Sequence, residues 1–251
     1  MDLIKLAFGD YPQYEELLLR KDKFEKEAFH WYEEYIRVFG KYLIDLFEAK
    51  IECIRLKKLI AFTQAEINKG LKPDREAIDA LVNIQMQSYY EELKTMIKDH
   101  ENSKMTETIP LYHVEKIKKI YREIAKVLHP DINPETAKDP VLKDIWNEVV
   151  TAYKCNDLER IEELQVLANK ALNDRGFDKT SIVIENIGEK IKKLEEQINQ
   201  IITTDPYNYK FLLEDAEEKN QRIKDLVDQT NEFKRYQKEL EKILEDLLTG
   251  D

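Results

Sequence analysis

The sequence predicts an all-α fold, and three observations carry that expectation. Charged residues make up 36% of the 251, whereas there are only 6 Gly and 7 Pro, a bias toward strong helix formers with few turn residues. Apolar residues recur in steps of three and four over most of the length, the period of a helix face. The breaks between these stretches are short and rich in Gly, Pro, Asn and Asp.

The first element runs from residue 13 to about 69, where no Pro intervenes and Gly40 is the only Gly. It carries two apolar stripes. Phe24, Ala28, Trp31, Tyr35, Val38 and Tyr42 begin one that continues to Ile60, close to a coiled-coil seam. Phe29, Tyr32, Ile36, Leu43, Phe47 and Ile54 form a second, displaced by roughly a quarter turn at about 100° per residue. One partner cannot easily cover both, so this helix is expected to sit between at least two others, from its own chain or from a second copy. The GLKPD turn at 70–74 leads to a second helix, residues 75 to about 100, with Ile78, Val82, Met86, Tyr89 and Leu93 on one face. A short turn between long amphipathic helices favours an antiparallel hairpin. The polar HENSKMTET stretch at 100–108 ends it, and residues 1–108 form the N-terminal arm.

A compact unit follows over 109–178. It holds a helix from about 113 to 128, a loop over 129–139, a helix from Pro140 with Asp139 as its N-cap, and another after Asn156 and Asp157, ended by Gly176 in a left-handed cap. Residues 179–251 form a C-terminal arm. Its Ile184, Ile187, Ile191, Leu194, Ile198 and Ile201 make one seam, stopped at TTDP, and Ile223, Leu226, Phe233, Leu240, Leu244 and Leu247 make another. A second hairpin is the simplest reading, although the longer last helix can instead cover the spare stripe of the first.

Composition also excludes classes of function. A formal charge of −11 and a pI near 5.1 disfavour a generic grip on nucleic acid or anionic membrane, both of which need a broad basic surface. Cys53 and Cys155 lie far apart with no ligand spacing, and His30, His100 and His113 read as surface or boundary residues, so neither a metal nor a cofactor is expected. The N-terminal apolar run is too short for a signal peptide, and no stretch suits a membrane span. The expectation is a cytoplasmic protein.

The stretch with chemical character is YREIAKVLHPDINP. Val114, Ile117, Tyr121, Ile124 and Leu128 share one face of its helix, and Lys118, Lys119, Arg122 and Lys126 make the opposite face basic inside an acidic protein. Leu142, Ile145, Trp146, Val149 and Tyr153 supply a matching apolar face, so the two helices can zip together antiparallel. His129, Pro130 and Asp131 then stand at a bend, with a histidine and a carboxylate facing solvent beside several cations.

These residues resemble the second helix and loop of a J-domain, the module of DnaJ-type co-chaperones. The resemblance covers about residues 111–155. It implies that His129, Pro130 and Asp131 contact a DnaK-type chaperone, that Lys118, Lys119, Arg122 and Lys126 form the basic docking face, and that the partner's ATP hydrolysis is accelerated. The hydrolytic site would belong to that partner, since no phosphate loop is visible here, and the chain itself is not expected to be an enzyme. The family's short first helix, its Gly/Phe-rich linker and its cysteine-rich zinc region have no counterpart. The fold expected is thus a J-like module flanked by long helical hairpins or coiled coils, which position it on a client, an assembly or a second copy. The alternative is a coiled-coil scaffold whose J-like module no longer binds a chaperone.

Overall fold

The computed structural model describes residues 11–105, 110–176 and 186–249, and every regular element among them is a helix. In order these are α1 (Tyr11–Asn68), α2 (Arg75–Met105), α3 (Leu111–Leu128), α4 (Pro134–Lys138), α5 (Pro140–Lys154), α6 (Leu158–Asp174), α7 (Ile187–Thr203), α8 (Tyr209–Glu214) and α9 (Ala216–Thr249). The chain divides into two units, Met1–Trp31 with Glu107–Asn208 and Tyr32–Thr106 with Tyr209–Asp251, so α1 lends its first turns to one and the rest to the other.

Helix ends follow local chemistry. Gly70 takes a left-handed φ of +74° after α1, and the Asp74 carboxylate accepts the Ala77 N–H at 3.2 Å to open α2. The Asp139 carboxylate accepts from the N–H groups of Val141 (2.9 Å) and Leu142 (3.1 Å), with Pro140 in the first turn where no donor is needed. Asp157 caps α6 through the Arg160 N–H at 2.9 Å, whereas Asn156 takes φ +54° and leaves its Oδ1 without a partner. Gly176 lies in the left-handed region at φ +62°.

In the first unit, α3, α5 and α6 bury one core. Ile117, Ile124 and Leu128 meet Leu142, Trp146 and Val149, and Ile161, Leu164 and Ala168 close the third side. A second core joins Tyr14, Leu17 and Leu18 of α1 to Ile191, Leu194 and Ile198 of α7 around Ile132, which is fully buried. At about 1.5–3 kcal/mol for each large apolar side chain removed from water, these positions hold the first turns of α1 onto the module. Ile184, placed in this seam from sequence, lies outside the described residues.

In the second unit, α1 has partners on two sides. Arg37 reaches the Ser103 carbonyl, Gly40 meets His100, and Lys58 bonds Gln85, so α2 runs antiparallel to α1. Cys53 donates to the Phe233 carbonyl at 3.3 Å, and the Lys57 ammonium lies 4.9 Å from the Tyr236 ring, so α9 runs parallel to α1. Ile51, Leu56, Leu59, Ile78, Val82, Met86 and Leu240 bury one core, and Phe39, Leu46 and Leu226 another.

Three expectations are corrected here. α2 does not stop at residue 100 but continues to Met105, because its polar end is satisfied by α1. Ser103 donates to the His100 carbonyl, and Arg37 donates to that of Ser103 at 2.8 Å. His100 is no surface residue: it is 7% exposed, with Nδ1 2.9 Å from the Ile36 carbonyl. The 129–139 loop also contains a helical turn, α4, capped by Asn133, which accepts the Glu135 N–H at 3.2 Å.

Candidate functional site

Pro130 dictates the corner. A residue before proline is driven out of the helical region, and His129 accordingly has φ −59° and ψ 126°, which ends α3. The bend is then tied on both sides. The His129 N–H donates to Ala125, its carbonyl accepts from Ile132 (2.9 Å) and Asn133 (2.7 Å), and the Asn133 amide donates to the Val127 carbonyl at 3.0 Å. The Asp131 N–H donates to His129 Nδ1 at 3.1 Å, which makes Nδ1 an acceptor and leaves the ring proton on Nε2 in the neutral form. Asp131 is exposed and Pro130 half-buried.

The imidazole expected to face solvent is turned inward. His129 is 9% exposed, its ring lies edge-on to Trp146 at 4.9 Å, and Nε2 stands 3.9 Å from the Asp22 carboxylate of α1. Asp22 accepts a 2.6 Å hydrogen bond from the Tyr121 hydroxyl. Burial lowers the His129 pKa and raises that of Asp22, outweighing their mutual attraction. Burial likewise pushes the Tyr121 phenol far up, helped by the Asp22 charge.

The four cations differ in their surroundings. Lys119 and Arg122 are exposed. Lys126 pairs with Glu15 of α1 at 3.0 Å, and Lys118 with Glu115 at 3.0 Å. Lys118 and Arg122 also line a cleft of about 140 Å³ with Leu19, Lys23, Tyr121 and Tyr153. Beside it, the Lys26 ammonium is buried without a hydrogen-bond partner, 3.9 Å from the Tyr153 ring, whose plane stacks on Tyr121 at 3.9 Å. Burial, reinforced by Lys118, brings the Lys26 pKa down to about 8.

The structure thus sets Lys118, Arg122 and Lys126 along the length of α3 that leads to His129 and Asp131, and it adds Glu15, Asp22 and Lys26 of α1, which sequence reasoning missed. The missed signal was the i, i+3, i+4 triplet Tyr14, Leu17 and Leu18 at the start of α1, an apolar face with Glu15 and Asp22 beside it. Among the described residues no group of His, Cys, Asp and Glu could hold a metal ion, and no helix is long and apolar enough to cross a membrane. No family model, curated protein or solved structure matches the chain.

Proposed function

We propose that this chain is a J-like co-chaperone or adaptor that engages a DnaK-type chaperone through the α3–α5 corner and stimulates its ATP hydrolysis. One observation carries the reading: a proline-fixed bend tied by several hydrogen bonds holds an exposed Asp131 just after α3, in the connection that leads through α4 to α5. The backbone that carries this carboxylate is preorganised, so only the side chain has to be ordered when a partner's donor meets it. Lys119 and Arg122, exposed on the helix that leads to the bend, supply positive potential that steers an acidic partner surface. The long helices would then carry the client, assembly or second copy.

The test is single-turnover ATP hydrolysis by the cognate DnaK-type chaperone with wild type and with Asp131→Asn, which leaves the buried His129 in place. The expected result is a rate increase with wild type that falls at least tenfold in the variant; equal rates reject the proposal. A scaffold reading is favoured by one observation, the burial of His129 against Asp22 and Trp146. Under that reading the wild type leaves chaperone turnover unchanged, and affinity capture recovers an assembly without a chaperone.

A further inference from the structure

We infer that the first turns of α1, residues 14–22, are an internal competitor for the chaperone-binding corner, which becomes fully readable only when those turns open. The inference rests on the co-chaperone reading above and concerns the regulation of that same site.

The register carries it. Glu15 meets Lys126, and Leu19 lines the cleft with Arg122. Asp22 bonds Tyr121, and Lys26 feels the charge of Lys118. Positions that rise along α1 fall along α3, so α1 lies antiparallel on the helix face that bears Lys118, Arg122 and Lys126. Positions 15, 19, 22 and 26 share one side of α1 by their helical spacing. The chain's own helix therefore lies along one edge of the face assigned to an outside partner, while Lys119 and Arg122 stay exposed beside it.

At the end nearest the corner, the chemistry of the contact is that of a mimic. A partner reading this face must bring carboxylates to its cations, and α1 brings Glu15 to Lys126, although farther along it sets Lys23 and Lys26 beside Lys118. Asp22, which faces His129 Nε2, takes the place where an outside acceptor would meet the imidazole. Asp131, beyond the end of this contact, stays exposed, as do Lys119 and Arg122. Tyr14, Leu17 and Leu18 anchor the segment on Ile132 and α7. Trp146 of α5 covers one part of the His129 ring, but Asp22 lies within the first twelve residues of the 58-residue α1, where local opening needs less free energy than in the middle of an element.

The test uses the full chain with a DnaK-type chaperone and ATP at subsaturating concentration. Glu15→Lys with Leu18→Ser reverses the ion pair and removes an anchor. Stimulation is expected to rise at least fivefold and to be lost again on adding Asp131→Asn. Hydrogen exchange of amides 14–22 should quicken in the variant, and in wild type on adding chaperone. If exchange shows the turns open while stimulation equals that of an active wild type, the competitor role is overturned and the co-chaperone reading stands. If neither protein stimulates although the turns are open, both fall. Should the double variant lose its helical signal, Glu15→Gln with Asp22→Asn removes only the charges, and the same outcomes decide.

Discussion

Lys26 and Gly40 show how much a single position decides in this chain. The folded pKa of Lys26, about 8, lies below its unfolded value of 10.5. The fold thus favours the neutral amine, and the associated stability is fully present above pH 10.5 and is lost as pH falls through about 8. Tyr14 and Tyr153 act in the opposite sense: burial raises both to about 12, so their share is present below pH 10 and lost as pH rises through about 12. Cys53, raised by burial from an ordinary value of 9.0, acts in the same sense as the tyrosines, so between pH 8 and 10 Lys26 is isolated by comparison with a variant that lacks its charge. Lys26→Met keeps the stem over the Tyr153 ring and removes the charge. It should stabilise the protein at pH 7 by about 1 kcal/mol, the low end for an unpartnered buried polar group, since the ring returns part of that cost. Urea melts at pH 7, 8, 9 and 10 should show the wild type gaining stability relative to the variant as pH rises; parallel curves would reject this account. At Gly40, a Cβ would lie 2.8 Å from His100 Cγ. Gly40→Ala should cost about 2 kcal/mol by overpacking, despite a helix propensity gain of about 1 kcal/mol. In a His100→Ala background the same change should become stabilising, a sign reversal that thermal melts can read.

At the scale of the element, α3 shows what a sequence discloses. Its apolar face, its end at His129 and the Asp139 cap of α5 are all set by local spacing and proline chemistry, and they could be read directly. Its partner on the basic side could not, because a helical wheel says which residues are buried and not what buries them. α2 illustrates the converse: its polar last turn reads as a break, but helix persists where the His100 ring meets the Ile36 carbonyl of α1 and the Ser103 carbonyl accepts from Arg37. The Tyr121–Asp22 bond tests the unforeseen contact. Tyr121→Phe removes the donor 2.6 Å from a buried carboxylate and should cost about 2 kcal/mol, as for hydrogen bonds to charged groups. The donor favours the charged carboxylate, so the loss is present above the Asp22 pKa, itself raised by burial, and fades as pH falls through it. A loss as large at pH 4 as at pH 8 would place the effect in ring packing instead.

Across the whole molecule, two apolar stripes on one long helix implied two coverings, and their identities came from tertiary pairing that no local pattern encodes. The stripes meet α2 running antiparallel and α9 running parallel, and α9 follows α1 by more than a hundred residues in the chain. The seam of α7 looks the same by spacing as that of α9, yet its residues are spent on Ile132 and the first turns of α1. Two cysteines report on these packings. Cys155 is exposed after α5, whereas Cys53 is buried beneath Phe233 with its thiol pKa raised by burial. A thiol reagent should therefore titrate Cys155 at once and reach Cys53 only when α9 lifts from α1. If that opening needs about 4 kcal/mol, Cys53 reacts on the order of a thousandfold more slowly. Leu226 is 1% exposed, and Leu226→Ala deletes packing worth about 2–4 kcal/mol between the same two helices. It should speed Cys53 at least tenfold and leave Cys155, already open to solvent, unchanged. Equal rates for both thiols in the native wild type would mean that α9 does not cover Cys53.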